Sequence, residues 1–421
     1  MSTSLSHFLI ITSFVIGYLA IILEFYIKLN KTAVALFIAG VCWAFYFVSG
    51  QNPLHENLGH LSHHLSDVSQ VIFFLLGAMT IVELIDSHNG FRTVVKFINT
   101  KSRKKVLIIV SFLAFFLSSI LDNLTTTILL ISILRKLVPE KKERLALNCM
   151  VVIAANAGGA WTPIGDVTTT MLWINDRIST IAVIKTLFLP SIISMIIPLG
   201  CFLFFAKGDH QTAVIEDTQA NNGAPGATTV FYLGLLSLIS VPLIKWATGL
   251  PPYMGVIIGL AVLWFVTDVI HFRHEDRYHL RIPFILTKID TSSILFFLGI
   301  LLAVDALASV GLLNQLALWI NEVVPNITAI ASFIGIFSAV IDNVPIVAAT
   351  MGMYDYPIDH TFWLLIAYTA GTGGSILSIG SAAGVALMGL EKVDFISYLK
   401  KASLPALLGY FGGIGVYLLF I

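Results

Sequence analysis

Ten apolar stretches punctuate this chain, at 8–27, 32–49, 71–86, 145–173, 181–206, 228–246, 253–271, 291–308, 361–389 and 398–420. They read as membrane-spanning helices, for which about 20 apolar residues suffice. Two further segments, 106–134 and 326–353, are too long for one comfortable span, and each is interrupted by an Asp-Asn pair, Asp122-Asn123 and Asp342-Asn343. Only helices and closed barrels satisfy their backbone groups in lipid, and these runs lack the alternation of a barrel strand. The expected fold is therefore an all-α polytopic membrane protein.

Composition agrees: 57% of residues are hydrophobic and 11% charged, against roughly 25% charged in soluble domains. The zero net charge says nothing about partners. Cys42, Cys149 and Cys201 sit in apolar runs without metal-ligand spacing, so neither a disulfide nor a metal site is expected. The stretch MSTSLSH has no basic region and is not expected to act as a cleaved signal. The distribution of Lys and Arg decides the topology. If 106–134 and 326–353 are re-entrant hairpins, 21 of the 24 basic residues fall on one side, and only Arg177, Lys185 and Lys245 fall near the other. That side is then cytoplasmic and both termini are extracytoplasmic.

Each half then holds five transmembrane spans plus a re-entrant hairpin. An odd number makes the second half run upside down, giving two inverted-topology repeats that place broken helices at the midplane. The expected organisation is a first repeat at 1–206, a cytoplasmic linker at 207–227 and a second repeat at 228–421. The repeat is visible in residues. VIFFLLGAMTIVELIDS at 71–87 resembles ILFFLGILLAVDALAS at 294–309, matching Gly77 to Gly299 and Glu83 to Asp305. NAGGAWTPIGDVTTTML at 156–172 resembles GTGGSILSIGSAAGVAL at 371–387, matching Gly165 to Gly380 and Asp166 to Ser381. Stretches 88–99 and 311–323 read as short helices along the two surfaces.

Gly158, Gly159, Pro163 and Gly165 concentrate in mid-span, and Pro removes a backbone donor, so 145–173 should unwind there. Unwound carbonyls at membrane depth suit a cation. Six carboxylates fall inside predicted spans or hairpins: Glu24, Glu83, Asp122, Asp166, Asp305 and Asp342. No Lys or Arg is expected at their depth except near span ends, so their counter-charge should be mobile, a metal cation or a proton. Burial favours the neutral form of a carboxyl group, so one group can hold either ion, the simplest coupling for antiport. The oxygen-rich set of Asp122, Asn123, Thr125, Asn156, Thr162, Asp166, Asp342, Asn343, Ser378 and Ser381 suits sodium or lithium, with sodium expected at Asp122, Asn123 and Asp166. Glu83 and Asp305 lie in regular helix and are candidates for a proton path, while Glu24 reads as interfacial. HENLGHLSHH at 55–64 reads as a solvated outer loop, and KSRKK at 101–105 as a lipid headgroup contact.

SSILDNLTTTILL followed by NAGGAWTPIGDVTTTMLW resembles the NhaD-type sodium/proton antiporters of the ion transporter superfamily. The resemblance runs from about residue 70 to the C-terminus. It implies exchange of Na+ or Li+ for H+ across a bacterial inner membrane by two inverted repeats with re-entrant hairpins, in a homodimer formed through a scaffold region; the expected cycle is an elevator or rocking motion of the hairpins and broken helices against that scaffold. It also implies transport roles for Asp122, Thr125 and Asp166. Nothing points to a cofactor, an enzymatic reaction or a nucleic acid partner. The alternative within the superfamily is a sodium-coupled carboxylate symporter or another anion transporter, including an arsenite-type permease. Those symporters carry Ser-Asn-Thr at the hairpin tips; here Asp holds the Ser position, and its charge repels an anion. An intramembrane aspartyl protease needs a Tyr-Asp together with a Gly-x-Gly-Asp motif, and this chain lacks that pattern: its nearest match to the second motif is PIGD at 163–166.

Overall fold

A computed structural model describes residues 3–49, 53–91, 98, 102–206, 224–272 and 274–420. The linker expected at 207–227 lies outside them as far as residue 223, as does most of the helix expected at 88–99. Among the described residues the fold is all helix, with no strand, and nine helices are long and apolar enough to cross a membrane.

In chain order the principal helices are α1 (Thr3–Ile22), α2 (Lys31–Val48), α3 (Leu54–Ser87), α4 (Arg103–Leu121), α5 (Asn123–Leu137), α6 (Lys141–Gly159), α7 (Val167–Ile174), α8 (Thr180–Phe205), α9 (Ala227–Thr248) and α10 (Pro252–His271). They continue with α11 (Thr291–Ser309), α12 (Leu312–Val323), α13 (Ile327–Phe337), α14 (Asn343–Met353), α15 (Thr361–Gly373), α16 (Ala382–Glu391) and α17 (Leu404–Phe420). Their starts are written in the sequence. Asn30, Ser179, Asp290 and Asn326 each accept a hydrogen bond from an amide two or three residues on, satisfying groups that the helix leaves open.

Both breaks within the expected spans are present. The chain leaves helix between α6 and α7 and again between α15 and α16. The interrupted segments break at Asp122 and at 338–342, although α4 alone is long enough to cross. The helix expected at 311–323 is α12, which turns by 118° into α13.

The stretch expected as an outer loop at 55–64 is instead the first part of α3, a continuous helix of 34 residues. Leu54, Leu58, Leu61, Leu65 and Val68 follow each other at steps of four and three, an apolar stripe of helical period that the intervening histidines disguise. His63 and Asp67, one turn apart, pair at 3.2 Å on its surface. The span expected at 8–27 also ends early, at Ile22, and resumes as one turn at Glu24–Ile27.

The two halves interlock through small residues. A Cβ on Gly77 of α3 would lie 2.5 Å from the Val256 side chain of α10, and one on Gly299 of α11 would lie 2.6 Å from the backbone of Leu36 in α2. These glycines, matched in the sequence, occupy matching crossings, each between a helix of one half and a helix of the other. With little hydrophobic force between helices in lipid, such close backbone approach carries the packing. The α8–α17 pair uses the same device, since Gly409 and Gly413 meet the carbonyls of Ser194 and Pro190.

A second pair of matching contacts holds the broken helices. Gly158 of α6 packs on the Phe115 carbonyl of α4, and Gly373 of α15 packs on the Gly335 carbonyl of α13. Beside them the Ser118 hydroxyl donates to the Ala155 carbonyl at 2.6 Å and the Ser338 hydroxyl to the Ala370 carbonyl at 3.1 Å.

Ion pairs close both ends of this region. Glu391, at the end of α16, accepts from Arg144 of α6 at 2.7 Å and lies 3.1 Å from Arg135 of α5. At the other end Arg177 donates to Asp355 at 2.8 Å, and Asp359 accepts from the Ser179 amide at 2.6 Å. The Glu391 carboxylate is 2% exposed, so replacing it by Ala leaves the buried Arg144 charge without its carboxylate and with only the Val138 and Pro139 carbonyls. Glu391→Ala is expected to lose about 3 kcal/mol of stability, the scale for breaking one side of a buried pair. Thermal unfolding in detergent checks this, and an unchanged midpoint would show that Arg144 reaches other acceptors or water.

Candidate functional site

Asp122 joins α4 to α5 with φ 76°, a left-handed conformation that costs a non-glycine residue about 1–3 kcal/mol and gathers at functional sites. Its carboxylate caps α5: Oδ1 accepts from the Thr125 amide at 2.8 Å and Oδ2 from the Thr125 hydroxyl at 2.9 Å. The Asp-x-x-Thr spacing of the motif brings both donors to one carboxylate. The opposite wall, from α3, is apolar. Asp122 shares with Leu75, Met79 and Val82 a cavity of about 20 Å³, roughly the space of one water-sized sphere.

Asp166 caps α7 in the same way, its Oδ1 accepting from the Thr168 amide at 2.8 Å and hydroxyl at 2.7 Å. The remaining oxygen, Oδ2, accepts from Asn123 Nδ2 at 2.5 Å. The same nitrogen lies 2.9 Å from Asn156 Oδ1, and Asn156 Nδ2 donates to Ser381 Oγ at 3.0 Å. Asn123, Asn156, Asp166 and Ser381 are each at most 4% exposed. One buried chain of polar contacts thus runs from the start of α5 through α6 and α7 to the start of α16, joining both breaks. Asp166 and Ser381, matched in the sequence, have nearly the same backbone, φ −144° in both with ψ 146° and 154°, and both cap a following helix.

The glycines shape this geometry. A Cβ on Gly165 would lie 2.8 Å from the Ser118 carbonyl, and one on Gly159 would strike the Gly165 carbonyl. Thr162 donates to the Ser119 carbonyl at 2.7 Å, tying the break to α4, and Trp161 stacks on Phe115 with ring centroids 5.9 Å apart.

The other expected residues are placed differently. Ser378 is buried in the second break and faces the Met388 sulfur at 3.2 Å, and Asn343 is buried at the first position of α14. Asp342 caps α14 through the Val344 amide at 3.2 Å, but its outer oxygen lies 4.0 Å from the Lys31 ammonium. Glu83 lies 3.8 Å from Lys288, and Asp305 lies 3.4 Å from the His64 ring. Glu24 accepts from the Lys31 amide at 3.1 Å.

The expectation that intramembrane carboxylates lack fixed basic partners therefore fails for Asp342, Glu83 and Asp305, and among the described residues it holds for Asp122 and Asp166. Lys31 and Lys288 stand at helix ends and reach inward on long side chains. His64 was hidden inside the supposed loop. Helical phase could have exposed His64; nothing local in the sequence could have paired Lys31 with a residue more than 300 positions away. Thr168 completes the Asp166 cap and was likewise missed, though Asp-x-Thr ahead of a helix is a capping signal.

Residues 18–371 match the family described as citrate transporter, CitMHS. Sodium/proton antiporter 2 of Arabidopsis thaliana is 48% identical over 96% of this chain and 97% of its own length. Sodium/proton antiporter 1 of the same plant is 51% identical over 96% of this chain and 71% of its own. The Na(+)/H(+) antiporter NhaD of Alkalimonas amylolytica is 32% identical over 99% of this chain and 91% of its own. A helical membrane chain with two broken helices and a buried Asp-Asn-Asn-Ser relay, matched over nearly its whole length by these proteins, belongs to the NhaD-type sodium/proton antiporter family.

Proposed function

We propose that this protein exchanges Na+ or Li+ for H+ across a membrane, with cation and proton competing for Asp122 and Asp166. The observation that carries the reading is the partition of carboxylates: among the described residues Asp122 and Asp166 have amide and hydroxyl donors but no basic side chain, while Asp342, Glu83 and Asp305 each face one. Two intramembrane carboxylates without a fixed cation, Asp166 buried and Asp122 partly buried, need one supplied from solution. The Asn123 amide bridges Asp166 and Asn156, and turning it over presents its oxygen instead, leaving three side-chain oxygens for a hard cation. Asp122, the residue next to Asn123, holds the second carboxylate, with both oxygens on Thr125.

The cycle we infer is an alternation. Two inverted repeats, divided by the 207–227 linker, bring their hairpins and broken helices together as one unit. Loaded with sodium, or neutralised by protons, that unit moves as an elevator against the scaffold; with both carboxylates charged and empty, it stays. The matching glycine and serine contacts support the repeat, and the ion pairs of Glu391 and Arg177 support a single moving body. We place the protein in a bacterial inner membrane with both termini extracytoplasmic, as a homodimer; bacterial antiporters among the relatives and the Lys and Arg distribution support the placement.

The family description naming citrate favours one rival, an anion transporter. A pH-sensitive dye in everted vesicles separates the two. Sodium or lithium added to vesicles holding the wild-type protein is expected to release protons and restore fluorescence, and citrate is expected to have no effect. Citrate uptake driven by sodium, without proton release, would replace the antiporter reading.

A further inference from the structure

The pairing of Asp342 with Lys31 breaks the likeness between the halves. Asp122 and Asp342 are matched residues, each the cap of the helix that follows its interruption. Asp122 faces an apolar wall and a small cavity, while Asp342 faces an ammonium group 4.0 Å away. Lys31 is itself held. Its Nζ lies 4.5 Å from the centre of the Phe296 ring, and its helix start is fixed by Asn30, which accepts from the Thr32 amide, and by Thr32, which donates to the Ser292 carbonyl at 2.9 Å. The nearby Glu24 carboxylate is engaged by the Lys31 amide.

We propose that Lys31 is the built-in counter-ion of Asp342, so that the second half binds no sodium of its own and cation exchange is confined to Asp122 and Asp166. A tethered ammonium beside a carboxylate occupies the charge that a free sodium would otherwise bring, and sodium cannot enter without displacing it. Lys31 starts α2, a helix packed on α11, whereas Asp342 starts α14, so the contact also joins the interlocked helices to the interrupted segment. Lys31 acts through Asp342 and is a positioning residue. The inference rests on the proposed antiport.

The test is a double-substitution cycle in everted vesicles: wild type, Lys31→Gln, Lys31→Arg, Asp342→Asn and Lys31→Gln/Asp342→Asn, each checked for abundance in the membrane. Wild type must first respond to sodium; if it does not, the antiport reading itself fails. Given that response, Lys31→Gln exposes a bare carboxylate and is expected to shift half-saturating sodium by at least ~5-fold, the scale of a close charge-pair coupling. Lys31→Arg is expected to stay within about 2-fold of wild type, because it keeps the charge. Adding Asp342→Asn to Lys31→Gln is expected to restore the wild-type value, since the unpaired charge is gone. A Lys31→Gln variant indistinguishable from wild type, or one whose defect persists unchanged when Asp342 is also neutralised, would overturn the proposal. If Lys31→Gln fails to accumulate, the reversed pair Lys31→Asp/Asp342→Lys decides: sodium response retained supports the pairing, and its loss at normal abundance refutes it.

Discussion

Asp166→Asn and Asp122→Asn will each reduce sodium-dependent proton release to the level of vesicles without the protein. The two substitutions act at different places, Asp166 within the relay and Asp122 beside it at the start of α5. Asn at 166 keeps an oxygen for the Thr168 amide but deletes the charge beside Asn123 and Asn156. Asn at 122 still caps α5 through one oxygen, and it cannot carry a proton. A charge-assisted contact is worth about 1.5–3 kcal/mol, so half-saturating sodium should rise roughly 10- to 150-fold even where binding survives. Coupling should vanish, because an amide cannot exchange the ion for a proton. Both variants should accumulate normally, since shape and cap are kept. Proton release persisting in Asp166→Asn at ordinary sodium would move the exchange site elsewhere.

The second large effect is structural. Gly158→Ala, and separately Gly373→Ala, will remove most of the folded protein from the membrane. A Cβ at either position would overlap a backbone carbonyl oxygen, that of Phe115 or of Gly335. Backbone cannot rotate aside as a side chain can, so the helices must separate, weakening the Ser118–Ala155 or Ser338–Ala370 contact beside them. The expected loss is about 3 kcal/mol or more, at the upper end of overpacking costs. Gly200→Ala is the control: nothing lies within 4 Å of its added Cβ, and alanine is the better helix former by about 1 kcal/mol. Abundance and detergent melting temperature measure all three; a stable Gly158→Ala protein would mean the α4–α6 crossing adjusts freely.

The parts of this molecule legible in its sequence are those whose signal is local. Apolar length gave most helices to within a few residues. Gly158, Gly159, Pro163 and Gly165 announced the first break, and the Asp-Asn pairs marked both interrupted segments. The Asp122–Thr125 cap lies three residues apart and could be read directly. The start of α3 was missed because its polar residues outweigh its leucines in bulk, although its period is helical. Contacts across the fold were invisible. Asn123 with Asp166, Asn156 with Ser381 and Lys31 with Asp342 depend on how helices cross, which a single chain records only indirectly, through glycines such as Gly77 and Gly299.

Those two crossings also bear on how the chain is made. α2 closes on α11 and α3 closes on α10, so the partners lie about 260 and about 180 residues further along. At a synthesis rate of about 5–20 residues per second, the first half waits in the bilayer for roughly 10–50 s before its partners emerge. During that interval lipid, or an insertion factor, must cover the bare glycine faces. Expressed as two separate fragments divided within the linker, the halves should accumulate together and be degraded apart.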